Sequence, residues 1–121
     1  MALLPRLLVV DDDELVGNSL RRLYRHRFEV TVVQSVEHAL GILPEADVVL
    51  CDLKMPSRGG MEFYASVRRD LPEMLGRIVF MTGDLCCMDT EEFLAGVPNP
   101  HFEKPFDPDR VGDTLFEVAA A

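Results

Sequence analysis

The chain has 121 residues, the size of one ordinary domain, so we expect residues 1–121 to fold as a single unit. Hydrophobic residues make up 48% of the sequence and charged residues 27%, which is typical of a globular protein and argues against disorder. Twelve Lys and Arg residues against 21 Asp and Glu residues give a formal net charge of −9. This acidic balance argues against direct binding to nucleic acid or to an anionic membrane, both of which require a basic surface.

The chain shows no targeting or membrane segment. No apolar run approaches the roughly 18 residues that cross a bilayer. The apolar start is interrupted by Pro5 and Arg6 and leads into acidic residues without a small-residue cleavage site. The three cysteines, Cys51, Cys86 and Cys87, fit no simple disulfide framework. We therefore expect reduced thiols and a cytoplasmic protein.

Apolar periodicity alternates between strand-like and helix-like patterns along the chain. In chain order it predicts the strand Leu7–Val10, the helix Leu15–Tyr24, the strand Val30–Val33, the helix Val36–Leu43 with Ser35 as its N-cap, the strand Val48–Cys51, the helix Met61–Leu71, the strand Ile78–Met81, the helix Asp89–Ala95, the strand His101–Phe102 and a last helix from Asp107 into the alanine tail. Such alternation predicts an α/β fold with a mainly parallel sheet and helices on both faces.

Polar residues follow four of the predicted strands at the point where each strand ends. They are Asp11 and Asp12, Asp52, Thr82 and Lys104. Because the carboxyl ends of parallel strands meet at one edge of the sheet, we expect these side chains to lie together. Neighbouring carboxylates repel each other unless a hard cation such as Mg²⁺ binds them. A phosphoryl group would be stabilised there by the metal, the ammonium and the hydroxyl, and an aspartate could act as nucleophile to form an aspartyl phosphate.

The distribution of the cations supports this interpretation. The chain contains ten arginines and two lysines, and both lysines, Lys54 and Lys104, fall in the predicted site loops. An arginine can serve at any solvated surface, whereas the compact ammonium of a lysine makes a better point-charge contact to phosphate. For Asp13 and Glu14, in contrast, we favour a role as solvated acids at a helix N-terminus.

Four motifs carry a resemblance to a known family. They are Leu7–Asp13, Val48–Pro56, Ile78–Thr82 and Phe102–Phe106. In their order and spacing, over nearly the whole chain, the sequence resembles a response-regulator receiver domain of two-component signalling. The resemblance implies a flavodoxin-like, doubly wound (βα)5 fold with a five-stranded parallel sheet in the order 2-1-3-4-5.

The resemblance also implies a role for each residue of the site. Asp52 would accept phosphate from a phosphohistidine of a partner histidine kinase or histidine phosphotransfer protein. Asp12 and Asp52 would bind Mg²⁺ together with the backbone carbonyl of Lys54, and Asp11 would act mainly through water. Lys104 would hold the phosphoryl oxygens. The chain would then be a signalling phosphoprotein rather than an enzyme, limited to its own phosphorylation and dephosphorylation.

The switch that this family uses is matched only in part. Thr82 would move toward the phosphoryl group and alter the surface of helix 4, strand 5 and helix 5. The family usually has a rotating aromatic three residues before the lysine, whereas this chain has His101. Gly83 replaces a common alanine after the threonine, and Gly59 stands where an aspartate often precedes a glycine. Pro105 would shape a turn that the family often makes with a cis peptide.

Two smaller site hypotheses concern the same loops. Lys54 and Asp84 occupy positions that usually flank the phosphoryl group, and we expect them to pair across it and hinder attacking water. Cys86 and Cys87 with His101 offer possible zinc ligands, but their spacing matches no usual zinc site.

Two other functions remain open on the sequence alone. One is a protein-interaction module that works without phosphorylation. The other is a haloacid-dehalogenase-type phosphatase, in which Asp11 of the Asp11-x-Asp13 pattern would be the nucleophile and Asp107 and Asp109 would supply late acidic ligands. That reading leaves the stretch that begins at Asp52 unexplained.

The resemblance carries expectations about context as well. We expect a downstream protein target, no nucleic-acid or membrane partner, and a monomer or weak homodimer. Since the last predicted helix ends the sequence, the chain would be a stand-alone receiver, a phosphorelay carrier or a domain of a longer regulator. Residues 97–106 resemble those of receivers fused to hybrid sensor kinases.

Overall fold

The structure, a computed structural model of the chain, describes residues 3–55, 59–83 and 88–121. Within these residues, strands and helices alternate as the sequence predicts. The strands are β1 (Arg6–Val10), β2 (Glu29–Val33), β3 (Val48–Asp52), β4 (Ile78–Thr82) and β5 (His101–Glu103). The helices are α1 (Glu14–Tyr24), α2 (Val36–Ile42), α3 (Gly60–Asp70), α4 (Met88–Ala95) and α5 (Pro108–Ala120).

The five strands form one parallel sheet in the order β2-β1-β3-β4-β5. This confirms the flavodoxin-like, doubly wound arrangement that the resemblance implies. Since all strands run the same way, the carboxyl ends of β1, β3, β4 and β5 lie at one edge of the sheet. The residues that follow these strands are therefore brought to a single rim.

Both faces of the sheet are covered. Alternate residues of β1 point to opposite sides, with Leu7 and Val9 in one apolar cluster and Leu8 and Val10 in the other. Helices α1 and α5 contribute to the first cluster, and α2, α3 and α4 contribute to the second. Burial on both faces explains why the central strands read as continuous apolar runs.

The strands are longer than their apolar runs. The ladder extends through polar residues, since Asp52 lies opposite Met81, and Thr82 lies opposite Glu103. The strand bounds predicted from hydrophobicity are therefore short, because backbone pairing sets them. Two of the site residues, Asp52 and Thr82, are held by the sheet rather than by a loop.

The helix ends follow local chemistry. The Ser35 hydroxyl accepts a hydrogen bond from the backbone N–H of His38 at 3.1 Å, which confirms the predicted N-cap of α2. The predicted helix Val36–Leu43 is one residue too long, since α2 ends at Ile42 and a 3-10 helix, Leu43–Glu45, contains Pro44. A second 3-10 helix, Pro72–Arg77, was not predicted. Proline at the start of each favours these short turns.

The described residues contain no helix with the length and apolar character that a membrane span requires. Of the three cysteines, Cys51 is described, and it is a buried free thiol on β3. Cys86, Cys87 and Asp84 lie outside the described residues, so the pairing of Lys54 with Asp84 and the zinc alternative stay untested expectations.

Candidate functional site

Three carboxylates meet at the carboxyl edge of the sheet. Asp11 and Asp12 follow β1, and Asp52 ends β3. Each of the three offers a carboxylate oxygen within 4.8 Å of the others. Asp11 is only 1% exposed and Asp52 is buried, whereas Asp12 is exposed. The structure therefore brings together the predicted acidic residues and leaves one of them open to solvent.

Lys104 faces this cluster from the end of β5. Its backbone N–H donates to the carbonyl of Thr82 at 2.8 Å, which continues the β4–β5 pairing one step past the strand. Its Nζ lies 3.2 Å from Asp52 Oδ2 and 3.7 Å from Asp11 Oδ2. One ammonium thus contacts two buried carboxylates. The peptide bond between Lys104 and Pro105 is cis, as the resemblance implies.

The backbone orients the carboxylates on either side of the cluster. Asp11 Oδ1 accepts a hydrogen bond from the backbone N–H of Asp13 at 2.9 Å. Asp52 Oδ1 accepts a hydrogen bond from the backbone N–H of Lys54 at 3.2 Å. This bond places the Lys54 backbone beside the site. Asp13 itself caps α1, since its carboxylate accepts from the N–H of Leu15 at 2.9 Å, which confirms its expected helix-terminal role.

Two glycines at the start of α3 approach the backbone that follows β3. The N–H of Gly60 donates to the carbonyl of Leu53 at 3.0 Å, and a Cβ on Gly59 would collide with that same oxygen. With the backbone in this position, Gly59 leaves no room for the side chain of an aspartate. The N–H of Gly59 donates in turn to the Glu62 carboxylate at 2.9 Å. Glu62 was not recognised from the sequence, although an acid three residues after a helix cap is a known signal.

Burial dominates the electrostatics of Asp11. Desolvation raises the pKa of its carboxyl, and the charge of Asp52 raises it further, while the N–H of Asp13 and the ammonium of Lys104 lower it. Asp11 Oδ2 is also buried, and within the described residues it accepts no hydrogen bond, since the Lys104 ammonium lies 3.7 Å away. A buried acceptor with no donor, beside two further carboxylates, is what a hard cation with oxygen ligands would satisfy. The residues present therefore fit a divalent metal.

Thr82 and His101 occupy different environments. Thr82 is fully buried at the end of β4, while His101 is exposed at the start of β5, opposite Phe80 in the ladder. Gly83 is exposed, and a Cβ there would meet no atom of the described residues within 4 Å, so crowding by those residues does not explain the absent alanine side chain. The switch roles of Thr82 and His101 stay predictions.

Comparison with known proteins agrees with this geometry. The family profile described as "Response regulator receiver domain" matches residues 7–116, and the chain belongs to that family. Members of this family are signalling modules rather than classical enzymes, and they interact with kinases or phosphotransfer proteins. The family assignment removes the reason to retain a haloacid-dehalogenase-type phosphatase.

Two curated relatives illustrate the match. The hydrogenase transcriptional regulatory protein HoxA of Cupriavidus necator is 36% identical over an alignment of 121 positions. The alignment covers 95% of this chain and 24% of that protein. Protein PetR of Rhodobacter capsulatus is 32% identical over an alignment of 108 positions, which covers 86% of this chain and 44% of that protein. The chain thus spans about a quarter of the length of HoxA and less than half of PetR.

Solved structures show the same fold. A response regulator receiver domain protein from Clostridium thermocellum superposes with a TM-score of 0.83 at 22% identity, covering 97% of this chain and 95% of that one. A CheY-like receiver domain protein from Methanospirillum hungatei gives a TM-score of 0.80 at 21% identity, covering 98% and 95%. At these identities the likeness concerns the fold.

The raised pKa of Asp11 has a consequence for stability. Because the folded chain keeps this proton at pH values where the unfolded chain has lost it, stability falls as pH rises through the window between the two pKa values. We expect Asp11→Asn to raise the Tm of the metal-free protein at pH 7 by about 3–6 °C, the size that ~1 kcal/mol produces in a domain of this length. Thermal unfolding in EDTA measures this.

Asp12→Asn is the matched control, because Asp12 is exposed and its charge costs less to keep. We expect it to change the Tm in EDTA less than Asp11→Asn does, and both variants to reduce the stabilisation that added Mg²⁺ gives the wild type. A lower Tm for Asp11→Asn in EDTA at pH 7 would contradict the account of this carboxylate.

Proposed function

We propose that the chain is a phosphorylation switch in which Asp52 accepts a phosphoryl group from a phosphohistidine of a histidine kinase or histidine phosphotransfer protein. The observation that carries the proposal is the contact between Lys104 Nζ and Asp52 Oδ2 at 3.2 Å, beside two further carboxylates. An ammonium in this position can hold the oxygens of a phosphoryl group on Asp52. The ammonium lies closer to Asp52 than to Asp11, at 3.2 Å against 3.7 Å.

The transfer is a displacement at phosphorus. A carboxylate oxygen of Asp52 attacks, a P–O bond forms, and the P–N bond of the phosphohistidine breaks with its electron pair returning to the imidazole. Lys104 neutralises charge on the phosphoryl oxygens. Thr82, buried at the end of the neighbouring strand, is the proposed hydroxyl that contacts the transferred group.

Asp52 suits the acceptor role better than its neighbours. Asp11 is almost fully buried, and one of its oxygens is engaged by the backbone of Asp13. Asp12 is exposed and has no contact with Lys104 among the described ion pairs. Asp52 combines partial access with the ammonium contact, so a phosphoryl group there would be formed and stabilised at the same place.

Mg²⁺ is the proposed cofactor. Asp12 and Asp52 would hold it with the backbone carbonyl of Lys54, and Asp11 would act mainly through water. When bound, the ion would supply charge neutralisation for the phosphoryl oxygens. Asp11 keeps the pair of carboxylates in a strongly negative environment, which favours a divalent cation over an uncharged ligand.

The proposed output is a change in the surface formed by α4, β5 and α5. His101, exposed on β5, belongs to this surface and is the proposed partner of Thr82 in the switch. HoxA is called a transcriptional regulatory protein, but it is about four times the length of the matched part, and this chain is acidic overall. We therefore propose a cytoplasmic signalling role through a downstream protein rather than through direct DNA contact, by a monomer or weak homodimer.

Phosphorylation is tested by intact mass after incubation with acetyl phosphate, with and without Mg²⁺. We expect one added phosphoryl group that requires Mg²⁺ and is absent from Asp52→Asn, because that substitution removes the nucleophile. Lys104→Ala should slow the reaction about 10–100-fold by removing the contact to the phosphoryl oxygens.

The control is Arg110→Ala, which removes a cation from the exposed surface of α5 and should react like the wild type. A folded protein that binds Mg²⁺ but gains no phosphoryl group would favour the phosphorylation-independent interaction module. An adduct that persists in Asp52→Asn would move the nucleophile to another carboxylate.

The phosphodonor protein has a candidate docking face beside the site. Leu15 is 78% exposed and lies two residues after the aspartate that caps α1. It lines a shallow groove along α1 with Val16, Ser19, Leu20 and Leu23. Exposed large apolar side chains next to a reactive rim are typical of a surface that a partner protein covers.

Leu15→Asp separates docking from chemistry. We expect it to slow phosphotransfer from a phosphohistidine protein about tenfold, since a charge would be placed in an apolar contact, and to leave acetyl phosphate reactivity unchanged. Leu3→Asp is the control, because Leu3 is 90% exposed but precedes β1 at the opposite edge of the sheet. Equal rates for Leu15→Asp and the wild type with the protein donor would rule out this face.

A further inference from the structure

β5 ends directly before Lys104 and has one apolar side chain packed against the core. The strand contains three residues, and His101 and Glu103 are exposed, while Phe102 is half-buried against the cluster that α1 and α5 also line. Phe102 is therefore the one β5 side chain that can fix the strand by packing. Hydrogen bonds at the two ends of β5 add to that contact.

One of these ends is held by Asn99. Its side chain is 7% exposed, and its amide nitrogen donates to the carbonyl of Leu75 at 2.8 Å and to the carbonyl of Ile78 at 2.8 Å. Both amide hydrogens are thus used on backbone carbonyls, one at the end of the second 3-10 helix and one at the first residue of β4. The loop before β5 is tied to the start of the neighbouring strand.

The residues around Asn99 make this connection stiff. Pro98 and Pro100 flank it, and proline fixes φ and removes a backbone donor. The carbonyl of Pro100 accepts from the N–H of Phe80 at 3.0 Å, which is the first bond between this segment and β4. At the other end of β5 the N–H of Lys104 donates to the Thr82 carbonyl at 2.8 Å.

We propose that Asn99 is a positioning residue for Lys104. By holding the start of β5 to β4, it sets how far the strand reaches along the sheet and so places the Lys104 ammonium 3.2 Å from Asp52. Lys104 follows Asn99 by five residues, across a strand with one half-buried apolar side chain, that of Phe102. The inference rests on the proposed role of Lys104 in phosphoryl transfer and names the residue that makes that role possible.

The carbonyls of Leu75 and Ile78 require two hydrogen-bond donors from the buried side chain at position 99. A primary amide supplies both, a hydroxyl supplies one, and a methyl group supplies none. Asn99→Ser and Asn99→Ala therefore form a graded series in the number of bonds kept. Arg77→Ala is the matched control, because the guanidinium of Arg77 also donates to a backbone carbonyl at 2.8 Å, but that carbonyl belongs to Ala46, before β3.

Three measurements on these variants test the proposal. They are the Mg²⁺ affinity by calorimetry, the rate of phosphorylation by acetyl phosphate at saturating Mg²⁺, and hydrogen exchange of the Lys104 backbone amide in the absence of acetyl phosphate. For Asn99→Ala we expect phosphorylation about tenfold slower and faster amide exchange, since small displacements of a catalytic group are costly. The Mg²⁺ affinity should be no weaker than in the wild type, because the carboxylates lie on β1 and β3.

The outcomes separate positioning from general damage. Asn99→Ser should fall between Asn99→Ala and the wild type, and Arg77→Ala should change neither the rate nor the Lys104 exchange. Unchanged values in both Asn99 variants, or an equal loss in Arg77→Ala, would overturn the proposal, as would a parallel loss of Mg²⁺ affinity. If Asn99→Ala does not fold, Asn99→Ser decides. If the wild type itself is not phosphorylated, the proposed function fails, while amide exchange still tests whether Asn99 holds β5.

Discussion

Two carboxylates, Asp11 and Asp52, are buried next to each other, and the Lys104 ammonium contacts both at 3.7 Å and 3.2 Å. Like charges this close destabilise a fold unless a cation offsets them. The lysine does so in part, but the pKa of Asp11 is still raised, and within the described residues its Oδ2 accepts no hydrogen bond. The negative charge that remains fits a divalent cation, which Asp11, Asp12 and Asp52 could hold together.

The parallel sheet explains how a small domain can assemble this site. Because the strands are parallel, each connection returns the chain so that every strand ends at the same edge of the sheet. Asp11 and Lys104, more than ninety positions apart in sequence, therefore meet at that edge. Backbone pairing extends the strands as far as Asp52 and Thr82, and the N-cap of α1, Asp13, lies two residues after Asp11. The site is thus placed by strand ends and a helix cap, which suits a reaction that depends on position.

Much of this could be predicted from the sequence. Apolar runs that end at Asp11, Asp52 and Thr82 predicted the strands and the edge of the sheet where these residues meet. They could do so because strands buried on both faces appear in the sequence as continuous apolar runs. The Ser35 cap and the acidic residues Asp13 and Glu14 marked two helix starts. Each predicted strand was short by one residue, since ladder pairing rather than hydrophobicity sets the strand ends. The order of the strands came from the resemblance, because periodicity says nothing about which strands are neighbours.

Other features depend on contacts that a sequence does not display. Gly59 reads as a simple departure from the family until the carbonyl of Leu53 is seen to occupy the space of its missing Cβ. Asn99 reads as part of a proline-rich loop, yet its amide donates to the backbone carbonyls of Leu75 and Ile78. In both cases the partner is a carbonyl group, which every residue carries and which therefore leaves no compositional trace.

The central claim is that the phosphoryl group is carried by Asp52 and not by another carboxylate of the same cluster. Borohydride reduction tests it most directly, because it converts an aspartyl phosphate to homoserine, and peptide mass mapping then locates the change. After treatment with acetyl phosphate and Mg²⁺, we expect homoserine at position 52 and at no other aspartate. Homoserine at Asp11 or Asp12 would contradict the account.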